Sequence, residues 1–433
     1  MRAAPKVTVL TPTYNRAAYL PDAIRSVLGQ ELADWEMLVI NDGGVDVREA
    51  VEGFGDERLR YFGRDRNCGK AACLNFGLQH ARGEYIAYLD DDDVWYPTHL
   101  ATLARVLDEN PGVGVAYSDL YKVICLPGEG GRRYPLEKRV DVCRDYNRMF
   151  MFYFNHTLHV SLMHRKDLAA AIGGYDEDVR VLIDWDLTRK LSFYTDFQHV
   201  QAVTGEYYVP IKKSDRISDV QRKDQESYLH NLRRIRADLP PEPWPKVEKL
   251  AVVFPVRRWN DRTLRIVRYF TDMLNYPSII VLVNRDAGRS EGECRRLLGA
   301  IGELKNICIM SAEADAGLHE SYLAGARRVE AAYYYLPSER LCLQVELRLI
   351  EGISYMSETP CQGVRWPADG RQGWPYDVLL RREALLACPD QPPMDWSGVH
   401  VLAEDWIPSA LETDYLLQFA RNCQGDGDYR GMR

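Results

Sequence analysis

Short apolar runs and polar turns succeed one another along the first half of the chain. Lys6-Val-Thr-Val-Leu10, Trp35 to Ile40, Leu59-Arg-Tyr-Phe62, Tyr85 to Leu89 and Val113 to Asp119 are apolar or β-branched, and turn formers bound them. Each reads as a strand. Between them, Pro21 to Gln30 sets Ala23, Ile24, Val27 and Leu28 at helical spacing behind a proline suited to a first turn. Asn67 to Ala81 and Thr98 to Leu107 read as helices in the same way. Residues 126–139, with Gly-Glu-Gly-Gly and Arg-Arg, read as a hairpin tip or loop. Alternating strands and helices predict an α/β fold with a Rossmann-like, mostly parallel sheet covered on both faces. Such sheets bind ligands beyond the carboxyl ends of their strands. The turns at 11–15, 41–44 and 90–93 fall there.

The last of these turns is the sharpest chemical signal. Four carboxylates, Asp90 to Asp93, follow a buried strand and precede Val94-Trp-Tyr-Pro97. Hard oxygen ligands on one short turn suit Mg²⁺ or Mn²⁺, often shared with substrate phosphates. The alternative is a solvated acidic loop capping the next helix. Gly69-Lys70 at a helix start offers backbone N–H groups and a cation to a phosphate. Taken singly, Lys70 also reads as an ordinary surface lysine. Together the two features suggest a nucleoside diphosphate bridged by a divalent cation.

Downstream, residues 146–165 are rich in aromatics and carry His156, His159 and His164 without ligand spacing, which fits core or pocket histidines. Asp184 follows the apolar Val181-Leu-Ile183 and precedes Trp185. It is either a helix N-cap, which spacing favours, or a base with a perturbed pKa.

Composition narrows the class. The 433 residues are 46% hydrophobic and 27% charged, which fits two or three globular domains. A net charge of −8 argues against a nucleic-acid partner. Ten cysteines without CxxC pairs indicate neither a zinc site nor a disulfide framework, and reduced thiols point to the cytoplasm. No signal peptide or spanning segment is evident, while peripheral contact with the inner membrane face and homo-oligomerisation stay open.

In this order the motifs resemble the inverting family 2 glycosyltransferases of the GT-A fold, over roughly residues 5–210. Val-Thr-Val-Leu-Thr-Pro-Thr-Tyr-Asn-Arg16 resembles the opening strand and nucleotide-binding turn. Asn41-Asp42-Gly43 and Asn67-x-Gly-Lys-x-x-x-Leu-Asn75 resemble the next two turns, and Asp90 to Pro97 resembles the DXD metal site. Gly173-Gly-Tyr-Asp-Glu177 and Asp184-Trp-Asp-Leu187 resemble the acceptor half. The resemblance implies that Pro12, Tyr14 and Asp42 contact the nucleoside, with Thr11 and Asn67 completing the donor-binding set. It implies that Asp91 meets the ribose, Asp92 binds Mn²⁺ or Mg²⁺, Asp90 supports that site and Lys70 faces the diphosphate. Asp184 becomes the catalytic base. Trp95, His156 and Trp185 are acceptor candidates. The chain departs from the pattern at Ile183, where the family usually has Glu, and at Leu74, where it often has Arg.

Residues 213–246 read as a helix and a Pro-rich linker. Beyond them the order of elements restarts. Leu250-Ala-Val-Val-Phe-Pro255 echoes the first strand and its proline, and Ser278 to Asn284 echoes the second. Gly317 to Gly325 and Ala331 to Glu339 echo residues 69–77 and 84–92. Tyr376 to Glu383 echoes Val160 to Asp167, and Glu404-Asp405-Trp406 echoes Asp184-Trp185. Residues 247–433 thus read as a degenerate second copy, with an unrelated α/β domain of the same rhythm as the alternative. Glu339 is the one carboxylate left where the tetrad stood. Tyr333 to Tyr335, Trp366 and Trp374 are candidate sugar platforms, although aromatics more often sit in cores.

Three functions are consistent with this reading. The first is a metal-dependent glycosyltransferase moving a sugar from a nucleotide-sugar, a UDP-sugar by the resemblance, to a glycan or glycoconjugate hydroxyl. The others are a bifunctional glycan polymerase and a non-catalytic carbohydrate-binding scaffold.

Overall fold

A computed structural model describes residues 4–141, 144–152, 155–211, 225–274, 276–300, 306–313, 315–337, 345–366, 377–387 and 399–402. The chain divides into two units, residues 1–247 and 248–433.

In the first unit the elements run β1 (Val7–Thr13), α1 (Leu20–Leu28), β2 (Trp35–Asn41), α2 (Arg48–Glu52), β3 (Leu59–Gly63), α3 (Lys70–His80), β4 (Tyr85–Tyr88), β5 (Val94–Trp95) and α4 (His99–Glu109). They continue with β6 (Val113–Pro127), β7 (Arg133–Asp141), α5 (Arg148–Met151), β8 (Leu162–Arg165), α6 (Lys166–Ala171), α7 (Ile183–Leu191), β9 (Asp196–Pro210) and α8 (Gln225–Ala237). The sheet order is β3-β2-β1-β4-β8-β6-β9-β5, with β7 paired to β6. β1 to β4 run parallel, β8 is antiparallel to β4 and to β6, and β9 returns parallel to β6. This is the expected α/β architecture. Every residue of β2 and β4 is buried because helices cover both faces.

Three segments differ from the sequence reading. β1 does not stop at Leu10 but pairs with β2 through Thr13. Its partner β4 has ended by then, so the missing N–H of Pro12 falls on the open side of the strand. Residues 133–139 are not loop: β7 pairs with β6 as a long hairpin whose tip is residues 128–132. The Pro-rich stretch, read as a linker, packs onto the first unit. Trp244 meets Phe193 edge-on at 5.0 Å, Lys246 N–H donates to the Phe193 carbonyl, and Leu232 and Ile235 of α8 join the first unit's core.

The second unit comprises β10 (Leu250–Val256), α9 (Asp261–Met273), β11 (Ser278–Asn284), α10 (Glu291–Gly299), β12 (Ile307–Ser311) and α11 (Leu318–Arg327). After these come β13 (Tyr333–Leu336), α12 (Val345–Glu358), β14 (Gly363–Arg365), β15 (Val378–Arg381), α13 (Arg382–Leu386) and β16 (Val399–Val401). Its sheet order, β12-β11-β10-β13-β15-β14-β16, repeats the first from β3 to β9 with the same parallel and antiparallel senses, and among the described residues β5 and β7 have no counterpart. Tyr333, Tyr334, Tyr335 and Trp366 are at most 4% exposed, so they are core residues and not sugar platforms. Trp374, Tyr376, Ser338, Glu339 and the Glu404-Asp405-Trp406 echo lie outside the described residues, as do Tyr153, Phe154 and residues 213–224.

Candidate active site

The first unit's turns converge where the carboxyl ends of β1, β2 and β4 meet. Asp42, buried just past β2, accepts the backbone N–H groups of Cys68 and Gly69 at 2.8 Å each. It thereby ties the second turn to the start of α3. Gly43 carries φ +72°, and a Cβ there would lie 2.4 Å from the Arg66 backbone, so only glycine lets the two loops touch. Thr11 is fully buried, whereas Tyr14 is 47% exposed and Asn67 is also exposed, both at the rim.

The acidic turn is closed by Asp93 N–H donating to the Asp90 carbonyl at 3.2 Å. Carboxylate oxygens of Asp90, Asp92 and Asp93 lie within 4.8 Å of one another, a hard-oxygen set that fits a divalent cation. Each carboxylate has a partner. Lys70 Nζ is 2.5 Å from Asp90, Arg16 pairs with Asp92, and Asp93 accepts the Tyr208 N–H at 3.0 Å. Arg133, at the start of β7, donates to the Asp92 carbonyl and stacks 3.6 Å over the Tyr208 ring. Lys70 is therefore no surface lysine.

The electrostatics follow from this crowding. Burial alone would raise Asp90, but the Lys70 ammonium beside it holds the carboxyl below the usual carboxylate range. Burial would lower Lys70, yet Asp90 first, then Asp184 and Asp92, hold its charge in place. Asp91 is buried, and that burial and the Asp92 charge push its carboxyl up.

Asp184 sits in the first turn of α7, but it is not the N-cap. Leu182 occupies that position with φ +63° and no side-chain cap. The Asp184 carboxylate accepts Asn155 Nδ2 at 2.7 Å and the Trp185 N–H at 3.0 Å. Burial raises its pKa against the opposing pull of Lys70. The loop before α7 is clamped by Asn75, which accepts from Tyr175 N–H at 2.9 Å and donates to the Tyr175 carbonyl at 3.0 Å. Gly174 needs φ +74° there, and a Cβ would meet Asn75 Oδ1 at 2.7 Å.

Two acceptor candidates are overturned. Trp95 is 3% exposed, donates to the Val160 carbonyl and stacks on His99. Trp185 is 2% exposed and donates to the Met151 carbonyl. Their indole N–H groups are held inside the core, so neither ring can meet a sugar. His156 is half-buried, with Tyr146 and Phe150 against its ring. His159 and His164 lie beneath the site, and burial pushes their pKa values down to about 3 and about 4. His164 Nδ1 faces the Arg165 carbonyl and so carries the proton, which makes Nε2 the acceptor of the Tyr88 hydroxyl at 2.7 Å. His159 stacks on Tyr88 and bonds the Tyr175 hydroxyl at 2.9 Å.

The structure thus gathers Asp90, Asp91, Asp92 and Lys70 at one edge, with Asp42 tied to the start of the same helix. Asp184 lies within electrostatic reach of Lys70 and Asp90. Sequence reasoning gave no separate role to Asp93, Arg16, Arg133 or Asn155. Arg16 stood inside the first motif and could have been found there. Arg133 depends on how the hairpin folds back, which no local pattern encodes.

Residues 8–164 match the model described as Glycosyl transferase family 2. An uncharacterized glycosyltransferase of Rickettsia typhi is 29% identical over 227 residues, covering 50% of this chain and 66% of that one. The Staphylococcus aureus TarS 1-349 structure in complex with UDP-GlcNAc is similar at TM-score 0.39 and 19% identity, over 53% of this chain and 65% of that one. A mannosyltransferase from Pyrobaculum calidifontis in complex with GDP-Man and Mn²⁺ gives TM-score 0.42 at 21% identity, over 55% and 66%. The chain spans 66% or less of the length of the curated relatives it matches.

Proposed function

We propose, from the match of residues 8–164 to the Glycosyl transferase family 2 model, that the first unit transfers a sugar from a nucleoside-diphosphate donor to an acceptor hydroxyl with inversion. The donor we assign is a UDP-sugar and the acceptor a glycan or glycoconjugate. The observation that carries the reading is the juxtaposition of Lys70, Asp90 and Asp184. Lys70 pairs with Asp90 at 2.5 Å and its protonated form is favoured by Asp184 as well, so the donor turn and the acceptor half share one electrostatic site.

In this reading Thr11, Pro12, Tyr14, Asn67 and Asp42 hold the nucleoside, with Asp42 acting through the loop it ties down. Asp90, Asp92 and Asp93 would hold Mn²⁺ or Mg²⁺, which when bound supplies positive charge to the leaving diphosphate. Arg16 pairs with Asp92, so a cation held there would compete with that guanidinium for the carboxylate. Lys70 offers its ammonium to the same diphosphate. Asp184 takes the proton of the acceptor hydroxyl as that oxygen bonds to the anomeric carbon and the carbon–diphosphate bond breaks.

The base must be ionised to act. Because burial raises the Asp184 pKa, the rate falls as pH drops through a value above that of an ordinary aspartate. The test is UDP release from a panel of UDP-sugars, measured against pH with wild type and Asp184→Asn. The reading predicts a loss of roughly 10²- to 10⁴-fold in the variant. Release at the wild-type rate with an unchanged acid limb would contradict it.

A further inference from the structure

Asn155 lies on the segment leading to β8, and its side chain faces two different demands. Its Oδ1 accepts from the Thr157 backbone N–H at 3.2 Å and from the Thr157 hydroxyl at 3.1 Å. Thr157 is 2% exposed, so these donors have no water to turn to. With the carbonyl end fixed there, the amide NH₂ must point the other way, and it meets Asp184 Oδ2 at 2.7 Å. An amide carries one acceptor end and one donor end, and here each end has a partner of the opposite kind. The second carboxylate oxygen, Oδ1, is fixed by the Trp185 N–H at 3.0 Å.

We propose that Asn155 is a positioning residue for Asp184: it fixes the carboxylate's orientation at the head of α7 and supplies the hydrogen bond that keeps it an acceptor. The proposal rests on Asp184 being the base of the transfer reaction. Its physical content is that the carboxylate is caught between opposing influences. Burial disfavours the ionised form. Lys70, from the start of α3, favours it, and Asp90, from the acidic turn, opposes it. The Tyr175 hydroxyl feels the same charge from the loop before the helix. A donor at 2.7 Å on the carboxylate favours the anion, since a bond to the charged form lowers a pKa. It also removes the rotation that would turn the acceptor lone pair away from a hydroxyl.

The variants follow from the two-ended demand. Asn155→Ala removes the donor. Asn155→Asp keeps the shape and the Thr157 contacts but sets a second carboxylate against Asp184, so that the two share a proton. The measurement is ¹³C NMR of the full chain labelled at aspartate Cγ, with Asp184 assigned from the signal missing in Asp184→Asn. Its titration midpoint is read in wild type and both variants. Calorimetric binding of UDP with Mn²⁺ runs alongside as a control for folding of the donor site.

The midpoint of Asp184 should rise by about one pH unit in Asn155→Ala and further in Asn155→Asp, with UDP binding unchanged. A midpoint that does not move in either variant overturns the proposal, and so does a loss of UDP binding together with the shift. The base reading fails separately, if Asp184→Asn still turns over UDP-sugar at the wild-type rate. The NMR result then still reports whether Asn155 governs the carboxylate, so the two failures are distinguishable.

Discussion

The two units carry the same framework and different chemistry. Pro12 and Pro255 occupy the same penultimate position of β1 and β10, and each lies opposite the penultimate residue of the neighbouring strand. Gly77 in α3 would drive a Cβ to 2.8 Å from Ile40 and 2.9 Å from Leu10. Gly325 in α11 would meet Val283 at 2.6 Å and Val253 at 2.5 Å, the residues at the matching sheet positions. Arg165 and Arg381, each the last residue of its strand, lie over Tyr85 and Tyr333 at 5.6 and 5.7 Å. Each guanidinium also caps carbonyls near the end of a preceding helix. Agreement at such idiosyncratic positions favours duplication over the shared rhythm of unrelated α/β folds.

The turns above that framework have diverged in polarity. Asp42, which accepts the N–H groups of Cys68 and Gly69, is matched by Arg285, which donates to the Ala316 carbonyl at 3.0 Å. Both side chains tie the second turn to the mouth of the next helix, but with donor and acceptor exchanged. At that mouth Lys70 is matched by Leu318, each following its glycine N-cap. The helix-on-sheet packing is common to the two units, and the polar turns over it are not. Leu318 and Arg285 stand in the second unit where Lys70 and Asp42 stand in the first, which counts against a second donor site of the same kind and so against the polymerase reading.

The comparison can be broken by moving the first unit toward the second. Lys70→Leu installs the residue of the second copy and leaves Asp90 without its ammonium. Removing one preorganised charge from a phosphate site should cost roughly 10²-fold or more in kcat/KM for UDP-sugar turnover. A rate within a few-fold of wild type would mean that Lys70 serves Asp90 alone. A smaller effect sharpens the structural half of the comparison. Gly77→Ala and Gly325→Ala should each destabilise their own unit by about 1–3 kcal/mol, since a methyl is forced into a packed helix–sheet contact. Urea unfolding checks the pair. Two clearly different costs would argue that the helix packings are not equivalent.

Much of the framework was legible in the sequence because strands and helices of such a fold are written in local pattern. Val7–Leu10, Trp35–Ile40 and Tyr85–Tyr88 announce buried strands, and the second-copy echoes lie in the same apolar runs. The acidic turn and Gly69-Lys70 were legible because their residue types are unusual at such points. What escaped depends on contacts between distant segments. Trp95 and Trp185 were acceptor candidates, yet each indole N–H finds a backbone carbonyl many residues away. Asp184 looked like a cap because a residue before a helix and one in its first turn have the same spacing, and the αL backbone of Leu182 decides between them. Arg133 reaches Asp92 through the fold of a hairpin, and Asn155 reaches Asp184 across β8, α6 and the loop that follows.

The central claim is that the acidic turn of the first unit is a working metal-assisted nucleotide site. It is tested most directly by calorimetric titration of UDP with Mn²⁺ into wild type and Asp92→Ala, each with and without EDTA. The metal-loaded wild type should bind UDP, and the variant and the chelated protein should not. Binding that ignores both the metal and Asp92, or no binding in the wild type, would contradict it.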